Sequence, residues 1–520
     1  MVELNDKKSI SSVFWWALAI CILFVAVGAA LPKRLESSTQ YVTSLISTNF
    51  SWYYLLLVLA ILFVCIYLLF SRFSSITLGK EGEEPEFSLH SWFAMLFSAG
   101  MGIGLVFWTT AEPISHAFSS SPIASPGSQQ AIDQAMQFSF FHWGIHAWAV
   151  YGIVALVFAY FNFHKGYKGL VSATLTPLFG EKLMQGALGT FLDVLAVIAT
   201  VTGVAATLGF GALQINQGFN FLFGIPANFL VQFLIIAVAT LLFTWSTWSG
   251  INKGIKMLSN FNMVIAVIVL VGLFIVGPTL YVLNMFTNSL GNYISGFFDM
   301  SLRLPMNDSD AFAWLENWTV FYWAWWISWA PFVGIFIARV SKGRTIKEFI
   351  LGVLFAPTLV CFIFFAVFGG SAINLQENGI ADISGFATET ATFAMFEHYP
   401  LGFLLSLLTL IVIAVFFITS ADSATYVIGM LTTNGNNFPS GLVKIIWGIT
   451  LSAFALIMIY TGGTQGIQNL LIIAALPFSL VIIFMMWSLF RSLREDHPRY
   501  PSKAKVFEDK DLKSRLKRED

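Results

Sequence analysis

The sequence predicts an all-α polytopic membrane protein with twelve transmembrane helices, on three observations. Of its 520 residues, 57% are hydrophobic, only 11% are charged and 53 are phenylalanine, a composition outside the range of soluble globular domains. Apolar runs of about 20 residues, long enough to cross a bilayer, recur near 13–32, 53–71, 91–118, 135–162, 187–222, 228–248, 257–281, 318–338, 347–373, 398–430, 441–461 and 467–490. Lysine and arginine then fall almost wholly on one side. Of the 27, all but Lys33, Arg34 and Arg303 lie on the side shared by both termini. The positive-inside rule makes that side cytoplasmic and predicts a multi-pass plasma-membrane protein with both termini in the cytoplasm.

Residues 1–12 form a short cytoplasmic N-terminus. The first span follows Lys7 and Lys8 like a signal peptide, but it is about 20 residues long and eleven spans follow it, so it reads as an uncleaved anchor. The spans of 13–71 stand as two peripheral helices. Five spans occupy 91–281, and five more occupy 318–490. Between them, 282–317 includes "ISGFFDMSLRLPMNDSDAFAW", expected as an outer amphipathic helix and loop. The linkers "SSSPIASPGSQQ" and "TTNGNNFPSG" carry turn chemistry. The tail, 491–520, mixes both charge signs and reads as a solvated or interfacial helix rather than a domain. Cys21, Cys65 and Cys361 sit in apolar spans without metal or redox spacing. The partners expected are lipid and a small molecule, with no nucleic acid.

The third span contains "SAGMGIGLVFW". Gly100 and Gly104 alone would read as a GxxxG packing pair. Adding Gly102 puts glycines on different faces, each costing about 1 kcal/mol of helix stability relative to alanine, so the segment is expected to unwind. Unwound backbone offers carbonyls to a cation and amides to an anion, and is tolerated at membrane depth beside a cavity. In the eighth span, Pro331 and Gly334 are expected to interrupt the helix in the same way. If spans 3–7 and 8–12 are two five-helix repeats, the interrupted helices open each half, a pattern that marks a transporter site.

Aromatic residues supply the second signal, in "FHWGIHAWAVYG" and "NWTVFYWAWWISWAP". At about 100° per residue, Trp143, Trp148 and Tyr151 share one sector of the fourth span. Trp318, Trp325 and Trp329 likewise cluster, with Trp326 and then Trp323 farther round. For Trp318 and Trp323, near the span end, an interfacial belt is an equal reading; the others lie deeper. Facing aromatic walls attract a cation that cannot donate hydrogen bonds, with quaternary ammonium the typical guest and about 2 kcal/mol per desolvated contact.

The phrases "SAGMGIGLVFWTTAEP", "FHWGIHAWAVY", "NWTVFYWAWWISWAPFVGIFIARVSKGRTIKEF" and "FFITSADSATYV" closely resemble the betaine/choline/carnitine transporter family, from about Ser91 to Trp487. The resemblance implies two inverted five-helix repeats behind two extra helices, often a homotrimer, with alternating access around an aromatic box. By motif position the box maps to Trp143, Trp148, Tyr151 and Trp326, with Trp325 and Trp329 along the route. Amides of the Gly100–Gly104 segment are expected at the carboxylate end of a substrate such as glycine betaine.

The resemblance also implies a coupling ion, Na+. In sodium-coupled members one site uses the positions of Ser98, Met101, Phe416, Thr419 and Ser420. A second uses two threonines and a phenylalanine ring; Thr200 and Phe332 match, but the second threonine position is Val204. No lysine or arginine occurs in 187–222 or 398–430, against the antiporting pattern of a fixed positive side chain. Proton-coupled choline members carry aspartate where this chain has Gly104, so sodium and betaine are favoured over choline or carnitine.

Glu112, His116, His142, His146, Asp193 and Asp422 are costly in lipid and become functional candidates. His142 and His146 have the i,i+4 spacing of a metal pair, but no HExxH and no third ligand accompanies them. An intramembrane enzyme would need a nucleophile and base that these motifs do not supply, and a channel gives no reason for broken helices in both halves.

Overall fold

The computed structural model describes residues 10–249 and 252–496 other than Met101, without the side chains of 97–100, 246–249 and 252–256. The described residues are overwhelmingly helical and contain no strand beyond one isolated bridge, Thr77 to Thr345. Nine of their helices are long and apolar enough to cross a membrane. The expected count of twelve is reached only by taking the broken segment near 89–119 as one span, including the shorter apolar helix Phe229–Trp245 and dividing the last helix at its kink.

The helices that matter to the site are α1 (Ser12–Ala30), α2 (Pro32–Phe70), α3 (Leu89–Gly100), α4 (Ile103–Ile114), α5 (Gln129–Trp143), α6 (Ile145–Ala159), α7 (Ala187–Phe223), α8 (Phe229–Ser249), α9 (Asn252–Val276), α10 (Thr279–Ser295), α11 (Phe321–Val340), α12 (Ile346–Glu377), α13 (Gly402–Leu431) and α14 (Gly441–Asp496). At the centre, α11 packs on α6, α7 and α14. Helix α14 joins the last two predicted spans across Gly462 and Gly463, the latter at φ 55° and ψ −138°, a left-handed conformation that glycine adopts without the clash of a Cβ.

Three predicted spans differ in detail. The third breaks as expected, but only briefly: Gly102 is extended (φ −144°, ψ −175°) and the helix resumes at Ile103, so Gly104 is helical. The fourth, expected as one run, divides at Gly144. A Cβ there would lie 2.5 Å from the Phe140 carbonyl oxygen, so a side chain would jam the break. The eighth, expected to open at Pro331, is continuous through α11. Proline lacks one amide donor but has the φ of a helix, and here the irregularity lies earlier, in a π-helical turn at Glu316–Val320.

The loop after α2 pairs with the loop before α12: Leu78 N–H donates to Arg344 O (2.8 Å), Gly343 N–H to Leu78 O (2.9 Å) and Ile346 N–H to Ile76 O (2.9 Å). At the far end, Asp496 is buried. Its carboxylate accepts from Tyr160 Oη (2.5 Å) and Lys165 Nζ (2.6 Å), with His164 Nε2 at 3.2 Å. The last described turn of α14 is thereby fastened to the π-helical turn Tyr160–His164 that ends α6. The sequence-predicted tail helix beyond Asp496, with Lys7 and Lys8, lies outside the described residues.

Candidate functional site

Three helices bring the predicted aromatics together. The break at Gly144 places Trp143 on α5 and Trp148 and Tyr151 on α6, while α11 supplies Trp325, Trp326 and Trp329. Trp143 meets Trp326 edge to face, centroids 4.9 Å apart at 74°. Tyr151 meets Trp326 at 5.9 Å and 72°, and Trp148 meets Tyr151 at 5.6 Å and 74°. Trp325 and Trp326 stack at 5.1 Å and 13°. These rings, with Gly102, Gly104, Leu105 and Ala147, line a partly open cavity.

Glycines shape the walls. A Cβ on Gly104 would lie 2.6 Å from Trp325 Cη2, and one on Gly203 would lie 2.5 Å from Trp329 Cδ1. The trio at 100–104 therefore combines the two expected readings, since Gly102 opens the backbone and Gly104 makes room for a ring. Among the described residues, Tyr151 Oη, Trp325 Nε1 and Trp329 Nε1 are buried polar atoms with no protein partner. Trp323, for which an interfacial belt was an equal reading, is 1% exposed. It stacks on His146 (5.6 Å, 21°) and meets Phe141 at 5.1 Å. Trp318 is half-buried against His116, at 4.6 Å, and Trp108.

Beside the cavity lies a polar cluster whose arrangement the sequence did not disclose. Glu112 Oε1 accepts from His142 Nδ1 (2.7 Å), with His116 Nε2 at 3.3 Å. Its Oε2 accepts from Trp143 Nε1 (2.9 Å) and Tyr322 Oη (2.5 Å). Trp314 Nε1 donates to His116 Nδ1 (3.2 Å), His142 Nε2 pairs with Thr319 Oγ1 (2.9 Å), and Trp326 Nε1 donates to the His142 main-chain oxygen (3.0 Å). His142 and His146 do not act as a pair, because His146 Nε2 bonds Ser301 Oγ at 3.0 Å. Tyr322 had one available signal: it lies four residues before Trp326, on the same helical face. His116 lies four residues on from Glu112, within reach of the helical spacing rule, but its other partners come from 30 and more residues away, and no spacing rule could gather them.

At the predicted ion sites, Thr419 Oγ1 donates within its helix to Val415 O (3.0 Å) and Phe416 O (3.4 Å). Ser420 is half-buried. Met101 and the Ser98 side chain lie outside the described residues. Thr200 Oγ1 donates to Ala196 O (2.8 Å). Helices α7 and α11 run antiparallel, with Gly203 beside Trp329 and Phe210 beside Trp325 and Phe321. Thr200 and Phe332, each one turn beyond the first contact, therefore stand at one level. Asp193 is buried and accepts from the N–H (2.8 Å) and Oγ (2.6 Å) of Ser172, a local tie away from the cavity.

Long apolar helices around an aromatic-lined cavity, with two predicted spans broken at its wall, are the build of a multi-pass membrane carrier. The chain matches, over residues 12–498, the family model described as the betaine/carnitine/choline family transporter, and it belongs to that family. It is thus a secondary transporter and not an enzyme. It is 51% identical to the glycine betaine transporter OpuD of Bacillus subtilis, over 98% of this chain and 99% of the relative. Identity is 42% with a probable glycine betaine transporter of Desulfitobacterium hafniense (95% and 99% covered) and 40% with the ectoine/hydroxyectoine transporter of Virgibacillus pantothenticus (94% and 98%). Among solved structures, a Na+-coupled sialic acid symporter in a substrate-bound outward-open state shares the fold, with a TM-score of 0.50 at 14% identity, over 84% of this chain and 86% of that one.

Proposed function

We propose that this protein is a sodium-coupled symporter that brings glycine betaine, or a closely related trimethylammonium osmolyte, into the cell by alternating access. The observation that carries the reading is the cavity bounded by Trp143, Trp148, Tyr151 and Trp326, whose π-faces suit a methylated cation that has no hydrogen to donate. Two names among the relatives above point to the same substrate.

For the other end of the zwitterion, Trp325 Nε1, Trp329 Nε1 and Tyr151 Oη are donors without protein partners. The first amides of α4, at a helix N-terminus, favour an anion. Sodium is assigned to Ser98, Met101, Phe416, Thr419 and Ser420, with a weaker second position at Thr200 and Phe332. Two inverted repeats, cytoplasmic termini and a homotrimer complete the reading, on the charge distribution and the family resemblance.

The test is uptake of labelled betaine into proteoliposomes under an imposed sodium gradient, with choline, carnitine, ectoine and proline as competitors. Betaine should be accumulated only with inward sodium and displaced best by its own kind. Preference for choline, or accumulation driven by protons alone, would replace this reading with that of a choline carrier of the same fold.

A further inference from the structure

We propose that Glu112 is a positioning residue for the aromatic cavity, fixing the indole of Trp143 directly and that of Trp326 through His142; the proposal rests on the cavity being the substrate site. A buried carboxylate without partners is costly, but this one is saturated. Its two oxygens accept about four hydrogen bonds when ionised, and four donors surround it: His116 Nε2, His142 Nδ1, Trp143 Nε1 and Tyr322 Oη. Glu112, His116, His142 and Thr319 are 0–1% exposed. The donors sit on the π-helical turn after α4, on α5 and on α11, so one carboxylate on α4 ties together helices from both cavity walls.

The donor pattern is fixed by what lies behind it. Trp314 Nε1–H occupies His116 Nδ1, so the His116 proton sits on Nε2 and points at Glu112. Indole nitrogen can only donate, so Trp143 demands an acceptor. Glu112→Gln keeps the shape but brings an amide group to one oxygen position. On the Oε2 side that amide faces Trp143 N–H, and on the Oε1 side it faces His116 N–H. Either orientation opposes two donors, and Thr319 and Tyr322, which can reverse their hydroxyls, cannot relieve both.

The same atoms of Glu112, His116 and His142 lie within 4.8 Å of one another, which also resembles a metal triad. Hydrogen bonding explains them better. Oε1 and His142 Nδ1 are 2.7 Å apart, whereas two ligands of a tetrahedral zinc stand about 3.3 Å apart, and the outer imidazole nitrogens are already engaged.

The test separates affinity from assembly. In full-length protein, Glu112→Gln should raise the betaine KM at least about fivefold while the amount of inserted protein falls far less. Trp143→Phe, which removes the indole N–H and keeps an aromatic ring, should raise KM too, and the double variant should be less than the product of the two. Should Glu112→Gln fail to accumulate, Tyr322→Phe removes one donor and keeps the ring that stacks on Trp326; a raised KM is again expected. An unchanged KM with only lowered Vmax or abundance, multiplicative effects in the double variant, or stoichiometric zinc lost on Glu112→Gln would each overturn the proposal. Trp326→Leu distinguishes the underlying reading: if it leaves KM unchanged, the substrate site itself is misplaced.

Discussion

The six-membered ring of Trp325 fills the space that a side chain on Gly104 would occupy, with Cη2 2.6 Å and Cζ2 2.9 Å from the position of a Cβ. Contacts below 3.0 Å force movement, and Trp325 is stacked on Trp326, so it cannot swing aside freely. Gly104→Ala should therefore weaken betaine affinity several-fold through displacement of Trp325 alone. Gly104→Asp adds a carboxylate that repels that of betaine and favours choline, so its choline-to-betaine ratio should exceed that of the alanine variant. Uptake competition in the two variants measures steric and electrostatic parts separately; equal ratios would show that charge at 104 does not read the substrate.

Trp326→Leu keeps bulk while removing the ring quadrupole, and should lower substrate affinity at least about tenfold, roughly 1.4 kcal/mol. It also removes the bond from Nε1 to His142 O. Trp326→Phe removes that bond but retains a π-face, so it should fall between wild type and the leucine variant. Concentration-dependent uptake at matched surface abundance is the measurement.

If sodium drives uptake as proposed, its stoichiometry turns on Val204, which is buried on α7 one turn from Thr200. At 100 mV each entering charge contributes about 2.3 kcal/mol and a tenfold sodium ratio about 1.4. One ion then sustains accumulation of several hundredfold, and two roughly 10⁵. Betaine is zwitterionic, so current divided by labelled uptake counts ions. The expected ratio is nearer one than two. Val204→Thr, nearly isosteric, should move it toward two, and Thr419→Ala with Ser420→Ala should abolish sodium-driven uptake. A wild-type ratio of two would show that the second site tolerates valine.

The tail can be separated from its anchor because Asp496 is held by Tyr160 and Lys165. Truncation after Asp496 spares that contact and should leave basal transport intact, altering at most activation by osmolality. Truncation after Arg494 deletes Asp496, releases the end of the helix carrying Trp148 and Tyr151, and should also reduce basal transport. Uptake across an osmolality series in the two truncations checks both statements; identical profiles would show that the Asp496 contact carries no weight.

What the sequence made legible was whatever a local rule could reach. Apolar length marked the spans, and helical periodicity marked Trp318, Trp325 and Trp329 as neighbours on one face, with Trp326 farther round. Three closely spaced glycines marked the break at Gly102. Gly144 was overlooked because a lone glycine in an apolar run is ordinarily tolerated, and only the Phe140 carbonyl and its neighbours make that position intolerant of a side chain. Pro331 misled in the opposite direction: its ring fixes a φ that a helix accepts, and α11 continues through it. The Glu112 cluster depends on which helices become neighbours in space, so Glu112, His116 and His142 were visible as costly polar residues, while Tyr322, Trp314, Thr319 and the arrangement were not.

Trp143 and Tyr151 rest on Trp326, with centroids 4.9 and 5.9 Å apart, so a trimethylammonium group settling among these rings competes with contacts they already make with one another. Part of the intrinsic binding energy must therefore go into separating Trp143, Trp326 and Tyr151, and the apparent dissociation constant is the intrinsic one divided by the fraction of molecules already open. Tight packing thus sets a reserve of unexpressed affinity. A variant that thins one wall, such as Ala147→Gly, should occupy its site at lower substrate concentration and yet cycle no faster, because the affinity gained on entry must be given back on release.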